Sequence, residues 1–182
     1  MASGNARRFG SNKLMADYRG KPLYLYGLEL LTDICAERSD CSLIVVSRYA
    51  GIRNTAASMG AMTVDCPESV KGASHTVKAG IRAIPHLQKE DRLLFSVADQ
   101  PELKKQSLLS LLDFDGSTPV ARLCWENTPG NPVLFSSSLV PELMALSGDQ
   151  GGGSVAKHHP CTWYPAAEEE LRDCDLPSDL IP

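Results

Sequence analysis

Residues 42–47 (Ser-Leu-Ile-Val-Val-Ser) form a short β-branched apolar run without polar alternation. That pattern predicts a strand covered on both faces, which requires helices above and below a sheet. Residues 61–65 predict a second, weaker strand and residues 92–97 a third. Helical periodicity separates them: residues 22–36, with Leu23, Tyr26, Leu30 and Ile34 on one face, then residues 50–59 and 74–84. Pro22 suits a first helical turn, where its missing N–H is no loss. Beyond the third strand come Asp99-Gln100-Pro101 and a helix through residues 108–112. Residues 119–124 and 132–135 read as two strands around the turn-forming Glu126-Asn127-Thr128-Pro129-Gly130. A helix over 137–146, a glycine cluster at 148–153, a basic-polar helix to about His158, a strand over 161–164 and an acidic tail complete the chain. Helices alternating with parallel-type strands imply a layered α/β sheet. No internal repeat or linker interrupts it, so one domain over residues 1–182 is expected.

Charge narrows the partners. The 182 residues carry a net charge of −4 and no basic stripe, which argues against nucleic acid. No apolar run is long enough to span a bilayer, and the N-terminus has no apolar signal core. The expected setting is the cytoplasm. Six cysteines occur without a C-x-x-C pair or zinc-type spacing and read as reduced thiols.

Residues 2–22 reverse the local sign of charge: Arg7, Arg8, Lys13, Arg19 and Lys21 stand against Asp17 alone. Ala2, Ser3 and Gly4 carry little side chain, so the backbone can approach a ligand closely. A cationic loop with a small-residue front on an acidic protein suggests a polyanionic small ligand.

The apolar run 93–98 leads directly into Asp99. Ligands gather at the carboxyl ends of strands in open α/β sheets, so Asp99 is placed either to hold Mg²⁺ or to start a turn or cap a helix. A second carboxylate facing it, such as Asp175, would complete a metal site. Glu168, Glu169 and Glu170 read as a solvated face. The cluster 148–153 reads equally as a phosphate cradle or as a connection, and it fits neither the P-loop nor the dinucleotide fingerprint. Gly72 and Ser74 open a helix whose start either meets a ligand's polar edge or is simply capped by Ser74.

In this order the segments resemble the MobA-like nucleotidyltransferase family, and within it the molybdenum cofactor cytidylyltransferases. The likeness rests on Met1-Ala2-Ser3-Gly4, Arg8-Phe9-Gly10-Ser11-Asn12-Lys13, Gly20-Lys21-Pro22-Leu23 and residues 72–80. It extends to Ala98-Asp99-Gln100-Pro101, residues 130–135, residues 146–151 and Asp173-Cys174-Asp175-Leu176-Pro177. The resemblance implies a three-layer Rossmann-like fold with a mostly parallel central sheet, its first strand missing before Met1. A chain beginning there is expected to fold poorly or bind nucleotide weakly.

By the same resemblance Ala2, Ser3 and Gly4 approach the nucleotide, with Gly72 and Ser74 near the base or ribose. Arg8 and Lys13 neutralise the triphosphate and act in catalysis with Asp99, while Asp99 and Asp175 hold Mg²⁺. The implied reaction transfers CMP from CTP to the terminal phosphate of molybdopterin and releases pyrophosphate, with a molybdenum hydroxylase as the recipient of the product. The alternatives are GTP as donor, another phosphorylated acceptor, or a non-catalytic protein that binds and delivers the molybdenum cofactor.

Overall fold

The computed structural model describes residues 1–2 and 12–180. In chain order the elements are β1 (Asp17–Tyr18), β2 (Lys21–Pro22), α1 (Leu23–Glu37), β3 (Ile44–Val46), α2 (Ala50–Ser58), β4 (Met62–Val64) and α3 (Ala73–Arg82). They continue with β5 (Arg92–Phe95), α4 (Lys105–Leu112), β6 (Val120–Trp125), β7 (Thr128–Ser136), α5 (Val140–Ala145), α6 (Gly152–Ala156), β8 (Cys161–Pro165) and α7 (Glu168–Leu171). The strands expected from apolar runs all form. The turn between β6 and β7 is tighter than the sequence suggests: Trp125 pairs with Thr128, so Gly130 lies inside β7.

Three sheets result. β1 and β2 form a short antiparallel hairpin, β3 and β4 pair in parallel, and the remaining four strands lie in the order β5-β7-β6-β8. β7 runs antiparallel to both neighbours while β6 and β8 are parallel, so the carboxyl ends of β5, β6 and β8 share one edge.

Strand alternation divides the core into two layers around the four-stranded sheet. Leu93, Val120, Val133 and Phe135 pack against Val77 and Ile81 of α3, Leu143 of α5 and Val155 of α6. Ala121, Leu123 and Leu134 face the other way, onto Ile34 of α1, Leu108 and Leu111 of α4, and Phe114. The result is the expected three-layer α/β arrangement. Truncating any of the fully buried leucines 108, 111, 123 or 143 to alanine should cost about 2–5 kcal/mol.

β3 is covered on both sides, as its composition predicts. Tyr24, Leu28, Ile52 and Ala56 pack in the cluster that holds Val45. On the other side Gly80 of α3 comes so close that a Cβ would meet Val46 at 3.2 Å. Among the described residues no strand lies between β3 and β5; Met1 and Ala2 connect them instead. The Ala2 N–H donates to the Val46 carbonyl at 3.0 Å, Ser47 Oγ donates to the Ala2 carbonyl at 2.6 Å, and the Met1 amino group donates to the Ser96 carbonyl at 2.6 Å.

Candidate active site

Lys13 begins a single 3₁₀ turn, Lys13–Met15, whose start is capped by the Asn12 side chain accepting from the Leu14 N–H at 3.2 Å. Leu14 is buried, and the Lys13 stem is buried beside it, so the ammonium can project from only one side. That side holds two carboxylates. Lys13 Nζ lies 2.6 Å from Asp99 Oδ2 and 2.8 Å from Asp175 Oδ1, joining residues far apart in the chain.

The two acids are held differently. Asp99 follows β5 at the carboxyl edge of the sheet, and its side chain is 18% exposed. Asp175 is 57% exposed and reaches the site on a C-terminal segment docked by backbone contacts. The Cys174 N–H donates to the Asp99 carbonyl at 2.9 Å, and Gln100 Nε2 donates to the Leu171 carbonyl at 2.9 Å. Cys174 is buried with Tyr18 and Leu23, and burial pushes its thiol up to about 11. The hairpin β1–β2 is tied to the same turn, since Tyr18 donates to Glu102 at 2.5 Å and Arg19 pairs with Glu102 at 2.8 Å.

Charge at the centre is unbalanced. Burial alone would lower the Lys13 pKa, but Asp99 and Asp175 outweigh it and raise it, so the ammonium stays charged. Asp173 keeps an exposed surface, yet partial loss of hydration, then the negative charges of Asp99 and Asp175, push its carboxyl up to about 6. One ammonium thus stands among three carboxylates. Hard oxygen donors from two separate segments converge on one cationic atom, with the Lys13 ammonium standing in for an ion. Among the described residues no group of three His, Cys, Asp or Glu forms a ready-made metal cage. Mg²⁺ is commonly held by one or two carboxylates together with substrate phosphates and water, so the Asp99–Asp175 pair fits such an ion.

The other expected site residues fall as follows. Ser3, Gly4 and Arg8 lie outside the described residues. Ala2 is buried beside β3. Gly72 has φ +135°, and a Cβ there would sit 2.1 Å from the Gly148 carbonyl oxygen. That same oxygen accepts from the Ser74 N–H at 3.2 Å and the Ser74 hydroxyl at 2.8 Å. Gly72 and Ser74 therefore clasp the glycine loop to the start of α3, and the Ser74 hydroxyl is already engaged.

Two contributors were not legible as such. Asp173 belongs to a recognised segment but had no assigned role; two acids flanking a buried cysteine were its only signal. Glu170, expected in a solvated face, is buried. Its carboxylate accepts from Ser107 Oγ at 2.6 Å and from the Lys104 N–H at 3.1 Å, anchoring the C-terminal segment to α4. The physical reason is the docking of α7 against α4; Glu170, at the third position of α7, also reaches back to the Ala167 N–H at 3.4 Å, as in a capping box.

The layered sheet, with a lysine and two acids gathered at its carboxyl edge, shares its fold with a solved nucleotidyl transferase. The chain belongs to the MobA-like NTP transferase domain family, whose description matches residues 1–162. It is 27% identical to the purine catabolism protein PucB of Bacillus subtilis (strain 168), over 98% of this chain and 91% of PucB. Rv0371c of Mycobacterium tuberculosis H37Rv, crystallised in complex with manganese, superposes with a TM-score of 0.73 at 20% identity, covering 97% of this chain and 91% of that one. The molybdopterin-guanine dinucleotide biosynthesis protein A of Archaeoglobus fulgidus gives a TM-score of 0.68 at 16% identity, covering 98% and 92%.

Proposed function

We propose that this single domain is a Mg²⁺-dependent cytidylyltransferase, transferring CMP from CTP to the terminal phosphate of molybdopterin. The observation that carries the proposal is the convergence of Lys13, Asp99 and Asp175 at the carboxyl edge of the sheet. An oxygen of the acceptor phosphate bonds to the α-phosphorus of CTP. The bond from that phosphorus to the α–β bridging oxygen breaks, and pyrophosphate leaves with the electron pair. No protein nucleophile is required, because phosphoryl-type transfer depends on positioning and charge neutralisation.

Lys13 is the mobile charge in this scheme: it compensates Asp99 and Asp175 before substrate arrives and turns to the triphosphate afterwards. Arg8 supplies a second cation to the phosphates. Asp99 and Asp175 would hold Mg²⁺, which when bound neutralises charge on the phosphates and the departing pyrophosphate. Gly72 and Ser74 shape the nucleotide side by fixing the glycine loop, and Ala2, Ser3 and Gly4 let the backbone approach the nucleotide. The manganese complex of Rv0371c supports a divalent ion in related proteins. No helix among the described residues is long and apolar enough to cross a membrane. The proposed setting is the cytoplasm, with a molybdenum hydroxylase receiving the product.

CTP, GTP, ATP and UTP, each incubated with Mg²⁺ and molybdopterin and scored by pyrophosphate release, test the reading. CTP should release pyrophosphate fastest, and Asp99→Asn should lower the release about 10³-fold while the fold persists. Faster release from GTP would favour the guanylyl reading that the Archaeoglobus fulgidus protein's name supports. Cofactor binding without release from any nucleotide would indicate a delivery protein instead.

A further inference from the structure

Arg122 lies on the same face of the four-stranded sheet as Val133, and its neighbour on β8 is Trp163. Its row continues through Val133 to Phe95, the last residue of β5, so it stands at the level where β5 ends and the chain turns toward Asp99. With strands spaced about 4.8 Å apart, two strand steps set it about 10 Å sideways from Phe95. The apolar layer formed by Val120, Val133 and Phe135 stops at this row.

The Arg122 side chain is half-buried and lacks the partner that a half-buried cation usually has. Its Nε and Nη2 both donate to one carbonyl, that of Gly130, at 3.0 and 2.6 Å. A guanidinium carries five N–H groups, and the other three have no protein acceptor among the described residues. No carboxylate pairs with it there, and the titratable groups that face it are the thiols of Cys124 and Cys161. Burial accordingly lowers its pKa without a neighbouring carboxylate to restore it. Beside it Trp163 leaves 44% of its surface in water, although it sits in the interior of a paired strand. A guanidinium fixed along one edge, with three N–H groups unengaged among the described residues and a partly exposed indole on the neighbouring strand, matches a flat ring with an anionic edge.

We propose that Arg122 and Trp163 form the acceptor subsite and select a planar heteroaromatic molecule carrying an anionic or carbonyl edge. The ring lies on the indole of Trp163, and the outer N–H pair of Arg122 takes the edge oxygens. The subsite rests on the transferase reading for its role, but its ligand chemistry is set by these two side chains. A molecule spanning from this row toward Asp99 would leave its phosphate-bearing end at the reacting centre.

The test uses 6-carboxypterin, a flat heteroaromatic carboxylate, titrated without nucleotide into the full chain and followed by tryptophan fluorescence and calorimetry. Wild-type protein should bind and show quenching. Arg122→Gln should weaken binding at least 10-fold, Arg122→Lys should weaken it less, and Trp163→Phe should remove most of the quenching that Trp125→Phe leaves in place. CTP affinity of Arg122→Gln should stay within 2-fold of wild type, and its circular dichroism melt should report an intact fold. Absence of binding by the wild type, or equal binding by Arg122→Gln, overturns the subsite. Pyrophosphate release with molybdopterin separates the two claims. Release with an unchanged acceptor KM in Arg122→Gln sinks the subsite and leaves the transferase. Arg122-dependent binding without release from any nucleotide removes the transferase and leaves a heteroaromatic-binding site.

Discussion

Asp99 and Asp175 meet the same ammonium, yet they are supported in opposite ways. Asp99 stands a few residues beyond the end of β5, in a turn whose backbone and Gln100 side chain are themselves hydrogen-bonded to the C-terminal segment. Asp175 is more than half exposed and stands in a turn closed by Asp179, which accepts from the N–H groups of Asp175 and Leu176 at 2.8 and 2.7 Å. Under the proposed mechanism, a fixed acid and an adjustable one would suit the exchange of an internal cation for an external one. The fixed partner would set the position, and the adjustable partner would close around the arriving ion.

The comparison breaks most readily at Asp99. Asp99→Asn is expected to lower pyrophosphate release about 10³-fold and to cost about 1–3 kcal/mol of stability, since a buried ammonium loses its nearer partner. Asp175→Asn should be milder: about 10–100-fold in divalent-ion affinity, with stability changed by no more than about 1 kcal/mol because the Asp175 carboxylate is more than half exposed and Lys13 keeps Asp99. Metal titration by Mn²⁺ paramagnetic resonance and thermal melts read both, and equal losses for the two variants would refute the fixed-and-adjustable distinction.

Cys174→Ser probes how the adjustable acid is held. A hydroxyl buried among Tyr18 and Leu23 should cost about 1–3 kcal/mol and reduce metal affinity in parallel. A stability loss with unchanged metal affinity would show that Asp175 does not depend on this anchor.

The smallest effect is the pH dependence of Asp173. Its folded pKa is raised from 3.8 to about 6, so its neutral form is favoured in the folded state. Its contribution to stability is complete below pH 4 and is lost as pH rises through about 6. Asp173→Asn, neutral throughout, should gain melting temperature relative to the parent as pH increases from 4 to 7. A difference that stays flat across that window would place the Asp173 pKa elsewhere.

The sheet was legible because burial on two faces leaves a compositional mark. The run 42–47 and the run leading into Asp99 carry it, and both form strands. β7 was read too short, at 132–135 against an observed Thr128–Ser136, because Pro129, Gly130 and Pro132 argue locally against a strand that pairing with β6 nevertheless extends. The pairing of Asp99 with Asp175 could be stated only through family likeness, since contacts between distant segments leave no local periodicity. Glu170 shows the same limit from the other side. Three consecutive glutamates look solvated, and only the docking of α7 on α4 distinguishes the buried one. Arg122 was invisible as well, because an arginine within an apolar strand gives no hint of which neighbours it lacks.

The buried sulfur of Cys174 gives the protein a built-in clock. Its thiolate is scarce near neutral pH, and its side chain is sealed as long as the C-terminal segment is docked. Cys35, Cys41 and Cys161 are partly accessible by comparison. An alkylating reagent would therefore mark those three first and reach Cys174 only when the segment lifts. The rate of that late labelling, with and without nucleotide and metal, measures how often Asp175 leaves the site and how firmly substrate holds it there.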